Sequence, residues 1–290
     1  MGRPIGRGMA TTIGFGAVLL WGTLALFTAM ADGVPPLQLL ATCFALGGAV
    51  GLVASRGAVP WRDVPPGALA TGIGGLFGYH LLYVLALRAA PPVEASLIAY
   101  LWPLLIVLAS AVVQRLRWFH VAGALLGMAG AGLVILRGGA TFDPAPGHGI
   151  ALVAALVWTG YSVLARRYAT VPTAAVTVYC LGAAVLSGVA HLALETTVVP
   201  RGADWIAILG LGLGPVGAAF FLWDVGCKRG DLAVLGASSY AAPLISTALL
   251  VAFGLARADW TLAIACLLIT AGAALAASEM LTGWTRRARL

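Results

Sequence analysis

The chain is a succession of long apolar runs separated by short polar breaks. Crossing the hydrocarbon core of a bilayer as an α-helix takes roughly 20 predominantly apolar residues. In the first half, runs of that kind occupy Met9–Ala31, Val34–Ser55, Val64–Leu87, Val93–Gln114 and Trp118–Leu136. A polar, Gly- and Pro-rich stretch, Arg137–Gly147, follows. The second half continues with His148–Ala165, Val171–Leu194, Trp205–Cys227, Leu232–Ala256 and Trp260–Ser278. The pattern predicts an all-α integral membrane protein of ten transmembrane helices, with connections too short to hold an extramembrane domain.

Composition agrees with this. Of 290 residues, 61% are hydrophobic and 9% are charged, against about 25% charged in soluble domains. A net charge of +7 could suit a nucleic-acid partner, but the basic residues stand in short clusters between apolar runs, as loop charge does in membrane proteins. No nucleic-acid partner is expected; the lipid bilayer is. With the N-terminus in the cytoplasm, 13 Lys and Arg fall on the inner side. Only Arg88, Arg137, Arg201 and Arg257 fall outside, which completes the 17. The positive-inside rule therefore predicts a multi-pass cell (inner) membrane protein with both termini cytoplasmic.

Arg3, Arg7 and Ala29-Met30-Ala31 imitate a signal peptide and its cleavage site, but the apolar run is longer than a signal core and it has a partner elsewhere in the chain. It is expected to be a helix. Cys43, Cys180, Cys227 and Cys266 have no CxxC spacing and no neighbouring His, so neither a disulfide frame nor a metal site is expected.

The second half echoes the first. An offset of 137 brings Trp21 onto Trp158, Pro35 onto Pro172 and Cys43 onto Cys180. An offset of 140 brings Arg88 onto Lys228, Tyr100 onto Tyr240 and Pro103 onto Pro243; one of 142 brings Ala129-Gly130-Ala131 onto Ala271-Gly272-Ala273. The expected organisation is a cytoplasmic tail 1–8, a five-helix repeat 9–137, an extracytoplasmic linker 138–147, a second repeat 148–280 and a basic cytoplasmic tail 281–290. An odd number of spans per half makes the repeats inverted, a hallmark of secondary transporters with a substrate site where the halves meet.

Ten spans in two halves, with Pro103-Leu104, Gln114-Arg115-Leu116, Gly123, Gly127 and Gly130, resemble the EamA-type drug/metabolite transporters. The resemblance covers essentially residues 10–280. Gln114 departs from the Glu common at that place in the family, so no role of that Glu carries over. The clusters Tyr79-His80 with Tyr83, and Tyr100-Leu101-Trp102-Pro103, are most similar to the aromatic amino acid exporters of this superfamily. That resemblance implies export of aromatic and other largely neutral amino acids by a basket-like bundle with a central cavity.

Polar groups inside spans usually mark a pathway. Tyr79 and Tyr83 share a helix face and His80 adjoins Tyr83, a band that could stack on an apolar solute and hydrogen-bond its polar end. Its structural alternative is an interfacial belt. Tyr100 and Trp102 would diverge by about 200° on an ideal helix, which Pro103 could relieve. Tyr240, Trp158 and Trp21 join the site by symmetry, and Pro103 and Pro243 are candidate helix breaks at matched depths. Gly74 and Gly78, recurring as Gly214 and Ala218, suggest close helix packing, as do Gly123 and Gly127. Asp224 and Lys228 fit an ordinary ion pair. Glu94 suits the start of its helix, with Arg88 near. His120 and His191 lie close to span ends and need no special role.

No nucleophile–base pair, Walker loop or metal cluster is present, so neither an enzyme nor a cofactor is expected. The readings left open are an amino acid exporter, an exporter of another metabolite or drug, and, less in keeping with one deep His, a membrane enzyme or receptor. Should transport be coupled to protons, His80 is the group in range. His80→Gln is then expected to abolish the dependence of flux on a pH gradient; dependence retained in the variant would remove His80 from coupling.

Overall fold

The computed structural model describes residues 5–31, 33–112, 115–136, 145–254, 259–276 and 278, and all regular structure in them is helical. The first half contains α1 (Arg7–Trp21), α2 (Leu24–Met30), α3 (Pro36–Ala54), α4 (Pro66–Ala89), α5 (Pro92–Ala99), α6 (Trp102–Ala109) and α7 (Trp118–Ile135). The second contains α8 (Pro146–Leu164), α9 (Val176–Leu194), α10 (Ala203–Leu213), α11 (Ala219–Arg229), α12 (Leu232–Ser238), α13 (Ala241–Ala252) and α14 (Trp260–Ala276). Helices α3, α4, α5 and α8 begin on a proline, where the missing N–H is no loss and φ is already helical.

Six segments among the described residues are long and apolar enough to cross a membrane: Arg7–Met30, Pro36–Ala54, Pro66–Ala89, Pro146–Tyr168, Thr173–Leu194 and Ala203–Arg229. Shorter apolar helices occupy Trp118–Leu133, Leu232–Ser246 and Trp260–Ala276. Gln114, Arg137, Arg257, most of the expected linker and the tail from 281 lie outside the described residues.

In lipid, helices associate through close packing rather than hydrophobic contrast. The principal pairs are α1 with α11, α3 with α9, α4 with α8, and α7 with α14. At the first, Gly14 and Gly226 meet backbone to backbone; at the last, Gly123 meets Gly272. The segment that imitates a leader is thus built into the core, with Ala10, Ala17 and Val18 fully buried. Of the other expected glycines, Gly127 packs under the Tyr240 ring, but Gly74 faces open space and Gly78 meets only Val157. On that helix, Gly72 and Gly75 make the close approach instead, beneath Tyr179 and Tyr161. Large rings, not a second small residue, fill the notch.

Polar clusters tie the bundle together at its ends. Where α4 and α9 end and α3 begins, the buried Glu195 carboxylate accepts from Arg88 at 2.5 Å and from the N–H groups of Leu37 (3.0 Å) and Gln38 (3.2 Å). His191 Nδ1 lies 3.0 Å from it and Nε2 lies 2.9 Å from Thr197 Oγ1. Arg88 therefore serves Glu195 and not Glu94, which pairs with His148 at 2.9 Å. His191 has a role that span position alone did not suggest, and His120 caps α7 by accepting the Arg117 N–H at 3.2 Å. At the other end, where α1 begins and α11 stops, Arg7 pairs with Asp231 at 2.6 Å. Asp231 also caps α12 through the N–H groups of Ala233 and Val234. Arg166 donates to the carbonyls of Cys227 and Gly230. Lys228 joins Asp224 at 2.9 Å, as its spacing predicts, and donates to Val171 O.

Burial pushes the Glu195 carboxyl up, yet the bonds from His191, Leu37, Gln38 and Arg88 outweigh it and hold the group below the usual carboxylate range. A carboxyl whose folded-state value is depressed stabilises fully above its unfolded value, near 4.3, and loses that contribution as pH falls through the folded value. Glu195→Gln is expected to cost about 1–2 kcal/mol at neutral pH through the weakened cap and ion pair. Thermal unfolding in detergent should show that difference shrink as pH drops below about 4; a pH-independent difference would contradict it.

Candidate functional site

Four interruptions of the apolar helices converge on one place. The first lies at Gly22–Thr23, between α1 and α2; the second at Tyr100–Leu101, between α5 and α6; the third at Ser239–Tyr240, between α12 and α13. The fourth is a π-helical turn, Gly214–Ala218, between α10 and α11. Residues beside each of them line a single cavity of about 110 Å³: Trp21 and Leu24, Tyr100 and Trp102, Ala242, and Pro215. Intact helices supply the rest, with Tyr79, His80 and Tyr83 from α4, Trp158 from α8 and Phe220 from α11. A water molecule needs roughly 10–15 Å³ by this measure, so the space suits a small organic solute.

Each interruption has a local cause. Pro215 has no N–H and its ring crowds the preceding turn, so the helix widens there. Its carbonyl accepts the Trp21 indole N–H at 3.0 Å. Pro103 and Pro243 sit just inside α6 and α13. They are not at the breaks but immediately after them, in first turns where a missing N–H is harmless.

Four tryptophans cluster at the cavity, three of them on its wall and Trp223 behind them. Trp21, Trp102, Trp158 and Trp223 lie within ring-contact distance in all six pairings, with centroids 5.0–6.4 Å apart. Edge-to-face and offset pairs of this kind contribute about 0.5–1.5 kcal/mol each beyond burial. The fully buried Trp223 donates its indole N–H to Ser162 Oγ at 3.1 Å, and Ser162 donates to Trp158 O at 2.8 Å. The Trp158 N–H is buried on the cavity wall and meets no hydrogen-bond partner among the described residues.

The α4 band forms another wall. Tyr79 and Tyr83 stack with centroids 6.0 Å apart and planes 2° from parallel. His80 Nδ1 lies 2.6 Å from Leu76 O; a carbonyl only accepts, so Nδ1 carries the proton and Nε2 of the neutral ring carries the lone pair. Phe44, Tyr79, Phe220 and Trp158 meet the imidazole edge to face. Tyr83 Oη is 2.9 Å from Ser96 Oγ. No Asp, Glu, Lys or Arg among the described residues lines the cavity. Among the described residues, no three His, Cys, Asp or Glu side chains gather as metal ligands.

Trp21, Tyr79, His80, Tyr83, Tyr100, Trp102 and Trp158 therefore come together around this cavity. Tyr100 and Trp102 do so because the helix stops between them, which removes the 200° divergence. Tyr240 does not join them. Its ring is fully buried over Gly127 of α7, in a cluster with Val107, Ala124 and Ile269. Its hydroxyl accepts the Leu104 N–H at 3.2 Å. Formal symmetry with Tyr100 is lost because the α6 break leaves an amide that Tyr240 satisfies. Sequence reading did not select Leu24, Pro215, Phe220 or Ala242. A Gly-Pro pair in mid-span was the available signal for the π-turn.

Ser162→Ala should strand the buried Trp223 N–H and cost about 1–3 kcal/mol, read as a lower unfolding temperature. In a Trp223→Phe background the same Ser162→Ala change should cost little, since no donor is left to strand; an equal cost there would place the role of Ser162 elsewhere.

The sequence matches the EamA-like transporter family over residues 8–136 and again over 145–278. A protein of Ancylobacter novellus named aromatic amino acid exporter YddG is 51% identical over 285 residues, covering 93% of this chain and 97% of that protein. The Escherichia coli K12 protein of the same name is 25% identical over 260 residues, covering 84% of this chain and 88% of its own length. A solved crystal structure 51% identical in sequence superposes with a TM-score of 0.88 over 93% of this chain and 97% of that one.

Proposed function

The chain belongs to the EamA-like transporter family, a family of membrane transporters rather than enzymes, and we propose that it exports aromatic and other largely neutral amino acids by alternating access. The cavity carries this reading. Among the described residues it is aromatic on most sides, free of charged side chains, and holds an unpartnered indole N–H and a histidine nitrogen able to carry a lone pair. Aromatic walls suit an apolar side chain, while those two groups and the backbone at the surrounding helix breaks suit an ammonium and a carboxylate. The 51% identity to a protein named aromatic amino acid exporter supports the same substrate class. The binding set is Trp21, Tyr79, His80, Tyr83, Tyr100, Trp102 and Trp158, with Tyr240 supporting the α6 break from outside the cavity.

The proposed architecture is ten spans in two inverted five-helix repeats, with bounds near 9–137 and 148–280. The paired family matches support the duplication. So does the packing. Under exchange of the halves, α3 with α9 and α7 with α14 map onto themselves, and α1 with α11 maps onto α8 with α4. The loop charges orient both termini to the cytoplasmic side of the inner membrane.

The test is flux of labelled Phe, Thr and a cationic dye in proteoliposomes. Phe and Thr are expected to move and the dye is not; movement of the dye alone would make the protein an exporter of another class. Trp158→Phe removes the free donor together with the second ring of the indole. It should weaken solute affinity at least about fivefold, the value of one hydrogen bond, and a variant that binds as tightly as the wild type would remove this donor from the site.

A further inference from the structure

A second space adjoins the first. It measures about 300 Å³ and is lined by Ile98, Tyr100, Leu101, Met128, Ala131 and Tyr240. It lies where the break between α5 and α6 and the break before α13 face helix α7. Among the described residues, Tyr100 is the one side chain common to both spaces.

The two differ in chemistry. The smaller carries the polar groups: the Trp158 N–H, His80 and the phenols of Tyr79 and Tyr83. In the larger, aliphatic and thioether side chains face two tyrosines, and the Tyr240 hydroxyl is already engaged by the Leu104 N–H. Among the described residues its lining is mostly hydrocarbon and offers no charged group, so an apolar side chain is favoured there over an ammonium or a carboxylate. At about 110 Å³ the first space is also barely a third of the second. A solute with a large ring would have to share that smaller space between the ring and its two charged groups.

We propose that the larger space is a side-chain pocket for solutes bearing a bulky apolar group, with the Tyr100 ring as the partition. The charged end of the amino acid stays among Trp158, His80 and the α4 tyrosines, and its ring passes Tyr100 to lie against Met128 and Ala131. Tyr100 is well placed for this, because it caps the interrupted α5 and is released from the packing of a continuous helix. Small solutes such as Thr need the first space alone. The inference rests on the amino acid exporter reading and assigns size selectivity to residues of α7 that do not touch the first cavity.

The test compares Trp and Thr flux in proteoliposomes for the wild type, Met128→Trp and Ala131→Leu, with Ala131→Val as a milder variant. Filling the second space from α7 should reduce Trp flux roughly tenfold, the discrimination a shaped apolar pocket exerts, and leave Thr flux near wild type. Tyr100→Ala should raise the ratio of Trp to Thr flux. Equal loss of both solutes in all three α7 variants, or no change in either, would overturn the pocket. A wild type that moves neither amino acid would instead sink the exporter reading.

Discussion

A backbone polar group inside a bilayer must find its partner within the protein, and the centre of this structure is organised by that constraint. Four helices stop or widen around one cavity, and side chains of other segments meet backbone groups beside two of these interruptions. The Tyr240 hydroxyl takes the Leu104 N–H, and the Trp21 indole serves Pro215 O. Thr159, bonded to Ala155 O, also reaches toward Trp102 O. In each case a residue of one half satisfies a break in the other. The halves are joined by their interruptions, and that junction is the cavity.

The aromatic character of the centre follows from the same requirement. Tryptophan and tyrosine each carry one polar handle on a large apolar body, so they can satisfy a backbone group and fill space at once. Three of the four clustered tryptophans lie on the cavity wall, and one of them, Trp158, keeps its N–H unspent. An unsatisfied donor in a low-dielectric site is costly. A solute that accepts a hydrogen bond there recovers that cost, which makes the cavity a receptive one.

Charge is kept at the ends. Glu195 with Arg88 at one end, and Asp231 with Arg7 at the other, each connect the first half to the second. Buried ion pairs resist separation because breaking one leaves an uncompensated charge. A transporter that opens alternately to the two sides has to loosen such contacts in turn, and these are the polar contacts that a rocking of one half on the other would strain. The contrast between charged ends and a neutral centre fits a zwitterionic or neutral solute better than a permanent cation.

The sequence by itself determined an all-helical membrane protein, because apolar runs of bilayer length have few alternatives, and six segments among the described residues form helices long enough to cross; it also carries the recurrence of Trp21 in Trp158 and of Pro103 in Pro243. It also made the band of Tyr79, His80 and Tyr83 visible, since three- and four-residue spacings place side chains on one helix face. The tertiary structure alone decided which faces turn inward. Tyr240 matches Tyr100 in sequence, yet Tyr240 supports a helix break and borders only the second space while Tyr100 lines both, a difference set by what packs against each. Glu195 accepting from Arg88, Leu37 and Gln38 was equally out of reach, because a loop residue meets helix ends more than a hundred positions away only after folding. Local spacing fixes a helix and its faces; partners come from the crossing of helices, and no short-range pattern encodes that.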